Sequence, residues 1–153
     1  MALLEGLSDA DIFRAIGNVP VFAGIGVHEQ HMLANKFVVV KRDADEIVIE
    51  QGEVGDTLYI IIQGTVIVSL KKGTASWIQI KKLGAGDVVG EIAILRNIPR
   101  TARITTETPC TFLAINAKDF LDIYQYFPPA ARDNIQLVVK KRLDENRDRW
   151  GCI

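Results

Sequence analysis

The sequence predicts a mainly β domain with flanking helices, built as an antiparallel sandwich, jelly roll or roll, and three observations carry that reading. Eight short runs rich in β-branched residues follow one another between Lys36 and Ile115. Turn-forming clusters such as "GEVGD", "KKGTAS" and "LGAGD" separate them. Before and after this stretch, apolar residues recur at helical rather than strand spacing.

At the N-terminal end, Ser8 and Asp11 make a capping box, with Leu7 and Ile12 as the flanking hydrophobic staple, so a helix runs from about Asp9 to Ile16. "VPVFAGIG" breaks it, and "HEQHMLANKF" reads as a second short helix, giving a helical segment over 8–35. The eight runs are "KFVVVKR", "EIVIEQ", "LYIIIQ", "TVIVSL", "WIQIKK", "DVVG", "ARITTE" and "CTFLAIN", within 36–115. Glycines at 52, 55, 64, 73, 84 and 86 fall between the runs, where tight turns are needed. After Ile115 the helical period returns: Asn116 caps with Asp119, and Ile115 with Phe120 repeats the staple. Pro128 and Pro129 end that helix and open the next. In the last helix Ala131, Ile135, Val139 and Leu143 form one apolar stripe, with Trp150 a heptad beyond; it packs on the body or pairs two copies of the chain. These C-terminal helices occupy 116–150 of a single domain spanning 1–153.

With 153 residues, 48% of them hydrophobic and 24% charged, the chain can bury a sizeable core. A formal net charge of −1 excludes a general polyanion binder, so no nucleic-acid contact is expected, while a local positive pocket for one small anion remains open. Cys110 and Cys152 do not suggest a disulfide framework, and a reducing compartment fits them. No signal peptide is read at "MALLEGLSDADIF", and no apolar segment approaches the roughly 20 residues of a membrane span, so the expected location is cytoplasmic.

One stretch carries chemistry. In "GEIAILRNIPRTA", Glu91 and Arg100 stand nine positions apart in an otherwise apolar run. Gly90 permits close backbone approach, and "EIAIL" can make one helical turn whose free N–H groups attract an anion. Arg100 adds a full positive charge with a fork matching two phosphate oxygens. Glu91 offers an acceptor for a sugar hydroxyl; Pro99 stiffens the approach, and Ala102 leaves room. A small sugar phosphate suits such a wall.

Gly-Glu followed by Pro-Arg-Thr-Ala resembles the phosphate-binding cassette of cyclic nucleotide-binding domains, found in cyclic-nucleotide-dependent kinases, gated channels and the catabolite activator family. "NVPVFAGI", "QGEVGDTLYIIIQGTVIV" and "LGAGDVVGE" extend the resemblance over roughly residues 10 to 143. It implies a double-stranded β-roll with a short cassette helix within 88–104 and two C-terminal helices. The implied ligand is cAMP or cGMP, with no prosthetic group and no metal. Glu91 would take the ribose 2′-hydroxyl and Arg100 the phosphate oxygens; Gly90, Ile92, Ala93 and Ala102 would supply backbone or packing contacts. Thr101 permits cGMP without requiring it. The resemblance also implies that the last helix closes over the base, with Val139, Arg142, Leu143 and Trp150 as lid candidates and Arg142 or Trp150 able to stack on a purine. Arg103 departs from the small residue usual in the family, and strand alternation turns it outward with little expected consequence.

The competing reading keeps Glu91 and Arg100 as a structural ion pair in a ligand-free scaffold or interaction module of the same fold. "HEQH" invites a metal, but its histidines are three apart and no third ligand cluster accompanies them, so a surface helix is expected. No Ser, Cys or His constellation points to a nucleophile, and an enzyme is not expected. The downstream effector is not specified by any motif, and a homodimer is compatible with the apolar stripe.

Overall fold

The computed structural model describes residues 7–150. Helix α1 (Asp9–Gly17) opens as its sequence dictates: the Asp11 N–H donates to the Ser8 hydroxyl at 3.1 Å, and the Asp11 carboxylate accepts the Ser8 N–H at 3.0 Å. Ile12 and Ile16 are its buried face. A single 3₁₀ turn (Pro20–Phe22) leads to α2 (Val27–Lys36), where Glu29 accepts the Gly26 N–H at 2.9 Å.

All eight expected runs are strands: β1 (Val38–Arg42), β2 (Ile47–Ile49), β3 (Thr57–Gln63), β4 (Val66–Leu70), β5 (Ile78–Leu83), β6 (Val88–Val89), β7 (Arg103–Thr106) and β8 (Cys110–Asn116). They form two four-stranded antiparallel sheets, ordered β1-β8-β3-β6 and β2-β7-β4-β5. Helix α3 (Glu91–Arg96) sits between β6 and β7; α4 (Ala117–Tyr124) and α5 (Pro129–Trp150) follow β8.

Strand alternation divides the interior into two apolar clusters. Leu58 and Ile60 of β3, with Leu113 and Ile115 of β8, face the helices; Ile61 and Phe112 face the second sheet. Between the sheets they meet Val66, Val68, Leu70 and Ile104. Asn116 caps α4 by accepting the Asp119 N–H at 2.8 Å, and Phe120 is fully buried. On α5 the stripe behaves as read: Ala131, Ile135 and Val139 are buried in the helical cluster, and Leu143 packs against it. Asn134 adds a polar tie, donating to the Val21 carbonyl at 3.1 Å. The α5 helix therefore lies along the N-terminal helices for its first half and reaches the cassette with its second. Among the described residues, no helix is long and apolar enough to cross a membrane.

Candidate functional site

The site is organised by Gly90. Its φ of +92° lies in the left-handed region, and a Cβ there would stand 2.6 Å from both Arg100 Nη1 and the Thr57 carbonyl oxygen. Removing that Cβ lets the Arg100 guanidinium lie against the backbone at the start of α3. Arg100 Nη1 donates to the Gly90 carbonyl at 3.0 Å and Nη2 to the Thr57 carbonyl at 2.7 Å. Its main chain is held as firmly: the Arg100 N–H donates to the Glu53 carbonyl at 2.7 Å, and the Gly52 N–H donates to the Arg100 carbonyl at 2.9 Å.

Arg100 is only 8% exposed, yet among the described residues it forms no ion pair. Burial pulls the guanidinium's proton affinity below its ordinary value; Tyr59 and the carboxylates of Asp56, Glu91 and Glu53 push the other way from a distance. Glu91, 2% exposed, is not its salt-bridge partner, contrary to the structural pair considered from sequence. Glu91 Oε1 instead accepts from Arg142 Nη1 on α5, which also donates to the Val88 carbonyl. Glu91 Oε2 is buried with no hydrogen-bond partner among the described residues. Arg100, with a buried guanidinium and no carboxylate, and Glu91, with a buried oxygen and no donor, both line one cleft.

That cleft is open on one side and spans about 490 Å³ with the adjoining solvent included. Of the residues expected at the site, Gly90, Glu91, Ile92, Arg100, Thr101 and Ala102 line it. Ala93 is in α3, its side chain outside the described part. Arg142 lines the cleft too, but its guanidinium is spent on Glu91 and Val88 rather than presented for stacking. Val139 and Leu143 pack into the helical core instead of the cleft, and Trp150 lies outside the described side chains.

Sequence reasoning missed Lys81. It lines the cleft from β5, and its Nζ lies 3.1 Å from Glu145 Oε2 on α5. Alternation counted from Ile80 puts Lys81 on the outer face, but Val68 opposes Lys81 while Ser69 opposes Gln79, so Ile80 is an extra residue in a bulge. The bulge resets the phase and turns Lys81 and Leu83 inward. Arg103 does face outward, as alternation requires, but it is not idle. It makes two hydrogen bonds to the Glu50 carboxylate, at 2.9 and 3.0 Å, and its guanidinium carbon stands 3.7 Å from the Trp77 ring centre. The "HEQH" histidines lie on α2, where His31 stacks on Phe13 with ring centres 4.2 Å apart.

A family described as cyclic nucleotide-binding domain matches residues 39–127, the strands and the whole cassette. The chain belongs to that family. Among curated relatives of this cyclic nucleotide-binding domain is a cGMP-dependent protein kinase of Eimeria tenella, 31% identical over 119 residues, 78% of this chain and 11% of that one. Another is a cAMP-dependent protein kinase regulatory subunit of Yarrowia lipolytica, 33% identical over 90 residues, 59% of this chain and 23% of that one. The chain thus spans about a tenth to a quarter of the length of these relatives. Among solved structures, the regulatory domain of Toxoplasma gondii PKA with cAMP superposes with a TM-score of 0.79 at 23% identity, covering 89% of this chain and 50% of that one. The cyclic nucleotide-binding domain shares with it the antiparallel sheets and flanking helices.

Proposed function

We propose that the cleft binds a cyclic nucleotide, cAMP or cGMP, and that this domain is a non-catalytic sensor. The observation that carries the reading is Arg100: a buried guanidinium with no carboxylate partner is costly unless an anion completes it. The charge balance suits that guest. Lys81 is matched by Glu145 and Arg142 by Glu91, which leaves the single positive charge of Arg100 for a singly charged cyclic phosphodiester. The free Oε2 of Glu91 then takes a ribose hydroxyl. Gly90, Ile92, Ala93 and Ala102 supply close approach, and the Thr101 hydroxyl meets a phosphate oxygen or a guanine amine. The apolar walls, Ile49, Val68, Leu83 and Ile104, accept the flat faces of sugar and base.

Signal transmission follows from the shared carboxylate. Arg142 of α5 and the ribose both donate to Glu91, so a bound ligand acts directly on the group that ties α5 to the cassette. Occupancy then biases where the second half of α5 rests. Residues 8–35, 36–115 and 116–150 work as parts of one domain, in the cytoplasm, and a kinase is the natural effector given relatives named as kinases and kinase regulatory subunits. The Arg142–Glu91 pair also favours a second reading, a ligand-free interaction module that keeps α5 closed permanently. Isothermal titration with each nucleotide, on the wild type and on Arg100→Leu, separates the two. Saturable binding lost in Arg100→Leu supports the sensor; no heat at millimolar nucleotide leaves only the module.

A further inference from the structure

Residues 50 to 53, between β2 and β3, are fastened one after another. Glu50 holds Arg103 through two hydrogen bonds. The Gln51 side chain accepts the Lys71 N–H at 2.9 Å and donates to the Lys71 carbonyl at 2.7 Å. Gly52 and Glu53 grip the main chain of Arg100 from both sides. The Glu50 tie is made on the outer face of the second sheet, the Gln51 tie reaches the main chain just past β4, and the last two end at the guanidinium's own residue. Trp77, in the β4–β5 loop, closes the outer ties into a ring, stacking on Arg103 with Lys71 Nζ 5.7 Å from its centre. Bidentate, ring-stacked geometry of this kind is specific to arginine.

We propose that Arg103, with Glu50 and Trp77, is a positioning cluster for Arg100, setting the phosphate end of the cleft from the opposite side of the sheet. The inference rests on the reading of Arg100 as the phosphate-binding residue. None of the three side chains reaches the cleft lining, so they act only through the segment 50–53 and through β7, which begins three residues after Arg100. Arg103 is opposed by Ser69 of β4, and its side chain crosses to the end of β2, so the cluster joins the strands on both sides of β7. A guanidinium fork must be placed to within a fraction of an ångström to use both donors on one phosphate, and a fastened segment supplies that placement.

The test compares Arg103→Leu and Arg103→Lys with Lys82→Met. The last removes another surface ion pair of the same sheet, Lys82 to Glu107, that has no link to residues 50–53. Two quantities are read: residue-resolved amide exchange at Gly52 and Arg100 in the ligand-free protein, and cAMP affinity by titration. Arg103→Leu is expected to speed exchange at both amides and weaken cAMP by about fivefold, the upper range for a surface ion pair. Arg103→Lys, with charge but no fork, falls between Arg103→Leu and wild type, and Lys82→Met matches wild type on both readouts. Should Arg103→Leu not fold, the difference between Arg103→Lys and wild type decides. Wild-type exchange and affinity in the Arg103 variants, or equal effects in Lys82→Met, overturn the proposal. A wild type that binds neither cAMP nor cGMP overturns the cleft reading alone, and amide exchange still decides the positioning role; a wild type that binds only cGMP is titrated with cGMP instead.

Discussion

Replacing Arg142 by methionine keeps the length of the side-chain stem while deleting both hydrogen bonds, made by Nη1, that tie α5 to the cassette. The consequence falls on Glu91, whose side chain is 3% exposed against 17% for Arg142. One oxygen already lacks a partner, so Arg142→Met leaves a buried carboxylate with none. Breaking a buried pair from one side costs about 3–5 kcal/mol, and the partial exposure of Arg142 places this one near the lower end, about 3 kcal/mol. For a chain of this size that is a drop in melting temperature of about 6–12 °C. The carboxylate has one cheaper escape, which is to let water in by lifting the end of α5. The loss then appears first as faster amide exchange beyond Val139 and only partly as global unfolding. Adding Glu91→Gln removes the stranded charge, so the double variant recovers much of the loss and the two changes are far from additive. Urea denaturation of wild type, both single variants and the double variant measures this. Stability of Arg142→Met within about 0.5 kcal/mol of wild type, the range of ordinary surface changes, refutes the tether.

Two other outcomes follow from the same geometry. Gly90→Ala forces an L residue into a φ of +92° and drives a methyl against the Thr57 carbonyl that holds Arg100. A loss of about 2–4 kcal/mol in denaturant and most of the nucleotide affinity is expected, and wild-type affinity in that variant would contradict the placement of Arg100. The Glu50 carboxyl is held below its ordinary range, chiefly by the hydrogen bond from Arg103; burial, next in size, opposes this, and that residue's charge and the Gln51 N–H add to the lowering. A depressed folded-state value means the contribution is present above the ordinary glutamate pKa and lost as pH falls through the folded one. The stability gap between wild type and Arg103→Leu, about 1 kcal/mol for a surface pair only partly exposed, should therefore be present at pH 7 and close as the solution is acidified below the ordinary glutamate range. A gap that persists at low pH would show that the arginine stabilises by stacking on Trp77 alone.

Much of the molecule was legible because local rules and tertiary packing agree in it. The caps of α1 and α4 are stated by residues three apart, Ser8 with Asp11 and Asn116 with Asp119, and both form. The strands are short, β-branched and bounded by turn residues, and β3 and β8 keep their alternation into two cores. Gly90 and Arg100 were legible for a different reason, since a glycine, a carboxylate and an arginine in an apolar run have few structural uses. What stayed hidden depends on register between distant elements. Glu91 and Arg142 are 51 residues apart, and which α5 side chain reaches the cleft depends on how that helix is rotated on the roll. Val139 and Leu143 share the buried stripe, and Arg142 projects just off it, so one helix serves the core and the cleft with neighbouring residues. Lys81 was concealed by a bulge that no residue pattern announces. Arg103 was read correctly as outward, but its partners, Glu50 and Trp77, come from β-roll segments that only the fold brings beside it.

Everything at the cleft turns on whether the buried Arg100 charge has an anion to hold. Titrating the purified chain with cAMP, cGMP and the uncyclised monophosphate AMP in one calorimetric series measures this most directly. Saturable, one-to-one binding of at least one cyclic nucleotide, weaker for AMP and abolished in Arg100→Leu with the fold retained, is the predicted result. Absence of heat from both cyclic nucleotides at millimolar concentration, or equal binding by wild type and Arg100→Leu, would contradict it.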